Sequence, residues 1–85
     1  MIIRVTQAHI DEGYRRNPWC CPVALAIRGA MAVEHGVRIL SHGITFPGGS
    51  VSTPEKVLDF IDAFDDGQSV QPFEFDLPVQ KGQTE

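Results

Sequence analysis

Cys20 and Cys21 stand side by side directly before Pro22, at the head of the most apolar run in the chain, Pro22-Val23-Ala24-Leu25-Ala26-Ile27. Proline is well tolerated at the first position of a helix, where its missing N–H is not needed. Cys21 is then the N-cap. A thiol there faces free N–H groups and the positive end of the helix dipole, which lowers its pKa and favours the thiolate. Catalysis by such a thiolate also needs a base, normally a histidine. His9, His35 and His42 are present, but no spacing ties any of them to Cys21. The alternative is a buried thiol that fills space beside Trp19 and a sheet, since free cysteine is among the most buried residue types. Two adjacent cysteines cannot supply a disulfide framework or a four-cysteine zinc site. Cys20, Cys21, His9 and His42 match no zinc-ligand spacing, so neither metal nor cofactor is expected.

Two other groups of residues have chemical potential. Asp62, Asp65 and Asp66 fall at the C-terminal end of a helical pattern, where each opposes the dipole by about 0.3–1 kcal/mol. A local rule broken in this way can mark function. The three acids read as a divalent-cation or acid–base site, as a patch for a basic partner, or as a solvated helix face. If they function, the partner patch is preferred over catalysis. Tyr14-Arg15-Arg16-Asn17-Pro18-Trp19 gathers tyrosine, arginine and tryptophan, the residues that dominate binding hot spots. It reads either as a contact loop or as a surface loop whose Trp19 folds back over the core. Pro47-Gly48-Gly49-Ser50 lacks the lysine and the strand-to-helix setting of a phosphate loop and is a turn.

The elements that must position these groups follow from periodicity. Ile2 to Thr6 alternates and is rich in β-branched residues, the mark of a strand. Thr6 caps a short helical turn over Gln7 to Glu12, closed by Gly13. The main helix starts at Pro22, with Val23, Ile27, Ala30 and Met31 on one buried face and Ala24 and Leu25 widening it. Gly29 inside that helix implies close approach of a neighbour. His35-Gly36 supplies the C-terminus, with Gly36 in the left-handed cap. Val37 to Ser41 is a second strand. Gly43 to Phe46 and Ser50-Val51 follow, with a turn at Pro47-Gly48-Gly49 or near His42-Gly43. Thr53 as N-cap and Pro54 at the first position open another helix, whose stripe is Val57, Phe60, Ile61 and Phe64; Gly67 ends it. Phe73, Phe75 and Leu77 alternate with Glu74 and Asp76 between two prolines, which suits an edge strand. The order β–α–β–β–α–β predicts a two-layer α+β domain over residues 1–79, with two helices on one face of a mainly antiparallel sheet. Residues 80–85 form a tail.

Composition narrows the class. The 85 residues are 42% hydrophobic and 21% charged, as in an ordinary globular domain. No run approaches the roughly 20 apolar residues of a membrane span. No basic stretch precedes an apolar one at the N-terminus, so no signal peptide is expected. The net charge of −4 is uneven: residues 1–54 are near +2 and residues 55–85 near −6. The acidic part argues against general nucleic-acid binding and suits a basic protein partner. A chain of this size buries only about 60–65% of its unfolded surface. Together with a main helix apolar on more than one side, that leads to the expectation of a homodimer.

Several stretches together resemble a group of small uncharacterised bacteriophage proteins, especially those of actinobacterial phages. They are His9-Ile10 with Gly13, Cys21-Pro22-Val23-Ala24-Leu25-Ala26-Ile27, Phe60-Ile61-Asp62 with Phe64-Asp65 and Gly67, and Pro72-Phe73-Glu74-Phe75. The likeness covers most of the chain, and the Cys-Pro-Val-Ala-Leu-Ala run is its most distinctive part. It implies a phage origin and action in the host cytoplasm, and it transfers no catalytic residue. The leading expectation is a non-enzymatic protein that binds a host protein or itself. Its contacts are Tyr14, Arg15, Arg16 and Trp19, with Asp62, Asp65 and Asp66 as a second patch. The alternatives are a small-molecule-binding or thiol-dependent protein using Cys20 or Cys21, and a nucleic-acid accessory protein using Arg4, Arg15, Arg16, Arg28 and Arg38.

Overall fold

A computed structural model describes residues 1–78; the expected tail 80–85, with Val79, lies outside them. The class is α+β. The elements run β1 (Ile2–Val5), α1 (Gln7–Glu12), α2 (Pro22–Met31), β2 (Arg38–Leu40), β3 (Gly43–Phe46), β4 (Gly49–Val51), α3 (Glu55–Asp65) and β5 (Phe73–Asp76). All strand pairs are antiparallel. They form two sheets, β1–β5 and β2–β3–β4, where one sheet was expected. The outer edge of β2 is occupied by the loop before α2. There the Ile39 N–H donates to the Pro18 carbonyl at 2.9 Å, which closes that edge to β1.

The two positions offered as alternatives for one turn are both turns. Ser41-His42 joins β2 to β3 and Pro47-Gly48 joins β3 to β4, each as a two-residue connection. Gly48 has φ +102, which after proline matches the second central position of a type II turn. One core serves both sheets. Ile3, Val5, Val23, Ile27, Ile44, Val57 and Leu77 are all buried in a single cluster. Phe60 of α3 meets Phe73 at 4.7 Å between ring centroids, which docks α3 beside β5.

Helix α2 starts at Pro22 behind Cys21, as the sequence predicts, but it ends early. Ala32, not Gly36, takes the left-handed cap at φ +57, and the Val33 N–H reaches the Arg28 carbonyl at 3.0 Å. Its buried residues are Pro22, Val23, Ala24, Ala26 and Ile27, whereas Ala30 is exposed and Met31 half-buried. The wide apolar surface of α2 is thus used within the chain, against α1, β1 and β2. Gly29 faces open space, with nothing within 4 Å of where a Cβ would sit. The tight glycine is Gly13, whose Cβ would lie 2.5 Å from the Pro22 ring. Helix α3 begins at Glu55 with Pro54 as its N-cap residue. Thr53, expected to cap it, donates its hydroxyl to the Leu40 carbonyl at 2.6 Å and ties α3 to β2.

Candidate functional site

Residues 14–20 form a closed loop rather than a slack one. The Tyr14 N–H donates to the Cys20 carbonyl at 2.9 Å across its neck. Inside, the Asn17 carboxamide oxygen accepts the N–H groups of Trp19 at 3.0 Å and Cys20 at 3.1 Å, an Asx turn. Two contacts then fasten the loop to the end of α3. The Arg15 Nε donates to the Phe64 carbonyl at 3.1 Å, and its guanidinium lies 5.6 Å from the Phe64 ring centroid. The Arg16 N–H donates to Asp65 Oδ1 at 2.7 Å. Arg16 holds φ +56, a costly backbone for a non-glycine residue, and this conformation accompanies the bond to Asp65.

The two candidate patches are therefore one surface. Arg15 and Asp65 are its fasteners, with Arg15 supplying a cation and a donor to the negative end of α3. This answers why acids are tolerated there: Asp65 accepts a backbone N–H, and Asp66 accepts Gln68 Nε2 at 3.1 Å. An open groove of about 500 Å³ runs along α3, lined by Arg16, Asp59, Asp62, Asp65, Asp66 and Gln68. On the other flank Trp19 does not fold over the core. It is 50% exposed, and the Arg38 guanidinium sits 5.3 Å from its ring centroid, a contact worth about 0.5–1 kcal/mol at an exposed site. Tyr14 is 65% exposed.

Asp59 and Gln68 belong to this surface without being among the expected contacts, Asn17 is expected only as part of the loop, and Arg38 only as a nucleic-acid contact. Asn17-Pro18 is a turn signal, and Asp59 shares the outward face of α3 with Asp62 and Asp66, so both were legible. Nothing in the sequence links Arg38 to Trp19.

Cys21 is the N-cap but not a thiolate. Burial pushes its thiol from 9.0 up to about 11. The N–H groups of Val23 and Ala24 favour the anion, as the helix-dipole expectation requires, but burial outweighs them and the nearby Asp65 charge adds to the rise. The Sγ makes no capping hydrogen bond. The cleft beside it, lined by Arg16, Asn17, Pro18, Ile39 and Ile61, holds about 180 Å³, less than the roughly 300 Å³ at which ligand pockets begin. His9 is engaged elsewhere: its Nδ1 accepts the Thr6 N–H at 3.0 Å, completing a capping box for α1. Among the described residues, no three His, Cys, Asp or Glu side chains are placed to hold a metal ion. No helix of the described residues is long and apolar enough to cross a membrane. Comparison with known proteins found no matching family model, no similar curated protein and no similar solved structure.

Proposed function

We propose that this chain is a small non-enzymatic phage protein that acts in the host cytoplasm by binding a protein partner through the surface formed by the 14–20 loop and the end of α3. The observation that carries this reading is the fastening of that loop. Arg15 on the Phe64 carbonyl and Arg16 on Asp65 fasten the loop that carries exposed Tyr14 and Trp19, and Arg16 itself lines the acidic groove. A surface held in its binding shape loses little entropy on association. Exposed tyrosine and tryptophan supply apolar anchors, and Asp59, Asp62 and Asp66 supply charge for a basic partner. Arg15 and Asp65 keep the surface in shape, while Tyr14, Arg16, Trp19 and Asp62 meet the partner.

The test is capture from host lysate with the full chain as bait, beside Trp19→Ala and Arg16→Ala variants of unchanged circular dichroism. Loss of one defined basic protein from both variants supports the reading. An unchanged capture profile removes the loop from it.

A further inference from the structure

We propose that the outer edge of β1 is a strand-pairing site for a second copy of this chain, giving a four-stranded sheet in the order β5–β1–β1–β5. The inference stands apart from the loop surface.

It begins with the alternation of inward and outward backbone groups in an antiparallel pair. The Leu77 N–H donates to the Met1 carbonyl at 2.8 Å, and the Met1 amine reaches the Leu77 carbonyl at 3.2 Å. That rung is hydrogen-bonded, so every second rung is too: Ile3 with Phe75, and Val5 with Phe73. The N–H and C=O groups of Ile2 and Arg4 therefore point away from β5, as do those of Glu74 and Asp76. Lys56 confirms the phase, since its Nζ donates to the Glu74 carbonyl at 2.9 Å from outside the sheet.

The free edges are unequal. Lys56 stands over the edge of β5, and Pro72 and Pro78 flank it, which are devices that discourage further pairing. The edge of β2 is taken by Pro18. β4 turns only Ser50 outward. β1 turns out two residues, and among the described residues no hydrogen bond takes their four backbone groups. Met1 and Ile2, two of the four exposed large hydrophobic residues, lie on this strand or at its start, at 48% and 54% exposure.

The occupant follows from register. An antiparallel β1–β1 pair centred on Ile3 sets Ile2 opposite Arg4 of the other copy, and Arg4 opposite its Ile2. Both positions turn their backbone groups outward, so all four groups on each copy find partners. A two-fold interface must be self-complementary in this way. The exposed Ile2 side chain then lies along the Arg4 methylenes, and each Arg4 keeps its own Glu74, 3.6 Å away. A two-stranded sheet is marginal by itself, and doubling it relieves that.

The experiment is sedimentation equilibrium of the full chain from micromolar to millimolar concentration, with Arg4→Pro as the variant. Proline there deletes an outward N–H and no bond to β5. The expected result is a wild-type mass rising from 9.4 kDa towards twice that value, and a monomeric Arg4→Pro of unchanged circular dichroism. A constant monomer mass for wild type overturns the proposal, as does a folded Arg4→Pro that still dimerises. Should Arg4→Pro not fold, amide exchange of the wild type decides. Protection at Arg4 that grows with concentration supports the site, and growth confined to other amides overturns it. Failure here is separable from failure of the loop surface, because Trp19→Ala leaves the dimer intact and monomeric Arg4→Pro still captures the loop's partner.

Discussion

The backbone N–H of Arg16 donates to Oδ1 of Asp65 at 2.7 Å, although the two residues are 49 apart in the chain. Asp65→Ala removes the acceptor and frees the loop from α3. The expected cost is about 1–2 kcal/mol, read as a lower urea midpoint at unchanged slope. Asp62→Ala, whose carboxylate holds no element in place, stays within about 0.5 kcal/mol of wild type. Trp19 is the sole tryptophan, so its fluorescence reports the loop directly. Its emission changes in folded Asp65→Ala and not in Asp62→Ala.

Two glycines make opposite predictions. A methyl group at Gly13 meets the Pro22 ring at 2.5 Å, with the Pro22 nitrogen at 2.7 Å. Gly13→Ala must push the start of α2 away and costs about 1–3 kcal/mol or more. Gly29→Ala meets nothing and gains helix propensity of up to about 1 kcal/mol. Thermal unfolding of the two variants should move in opposite directions.

Ala32 caps α2 at φ +57, where an L side chain is strained. It is exposed, so its methyl group contributes little burial. Ala32→Gly is therefore expected to stabilise the protein by about 0.5–1 kcal/mol, a rise of several degrees in Tm. A fall in Tm would show that the cap is not where the strain lies.

Cys21 gives a pH dependence with a definite sign. The unfolded thiol ionises near 9.0 and the folded one near 11. Between these values the unfolded chain has lost a proton that the folded chain keeps, so the Cys21 contribution to stability is constant below pH 9 and falls as pH rises from 9 to 11. The full loss is roughly 2–3 kcal/mol. Denaturant midpoints across that range, beside Cys21→Ala, isolate the contribution: the variant lacks it. At neutral pH a thiol reagent should modify half-buried Cys20 readily and Cys21 only as fast as the fold opens.

Much of the fold was legible where one local rule acted alone. Pro22 placed the start of α2, the stripe of Val57, Phe60 and Phe64 placed the buried face of α3, and alternation placed β1 and β5. The structure departs from the sequence pattern where two rules compete. Gly36 looked like a cap because glycine is favoured there, but Val33 packs against the core and the chain turned earlier, at Ala32. Thr53 looked like an N-cap, but the Leu40 carbonyl offered its hydroxyl a partner across the domain. The closing of the β2 edge by Pro18 is a contact between residues with no sequence signal in common. Both halves of the candidate surface were visible from residue type. Their union was not, because hydrogen bonds from a loop to the far end of another helix leave no periodic trace.

The pairing of Met1 with Leu77 has a mechanical consequence. In the antiparallel β1–β5 ladder, residues 1 and 77 share the outermost rung. Tension applied between the two ends of the described chain loads that rung first and then the others in turn, like a zip, instead of shearing them all together. Resistance to stretching is then low, and release of the last rung frees both flanks of the core at once. An elongated fusion carrying this domain between two handles would yield at a force far below that of a domain pulled along its strands.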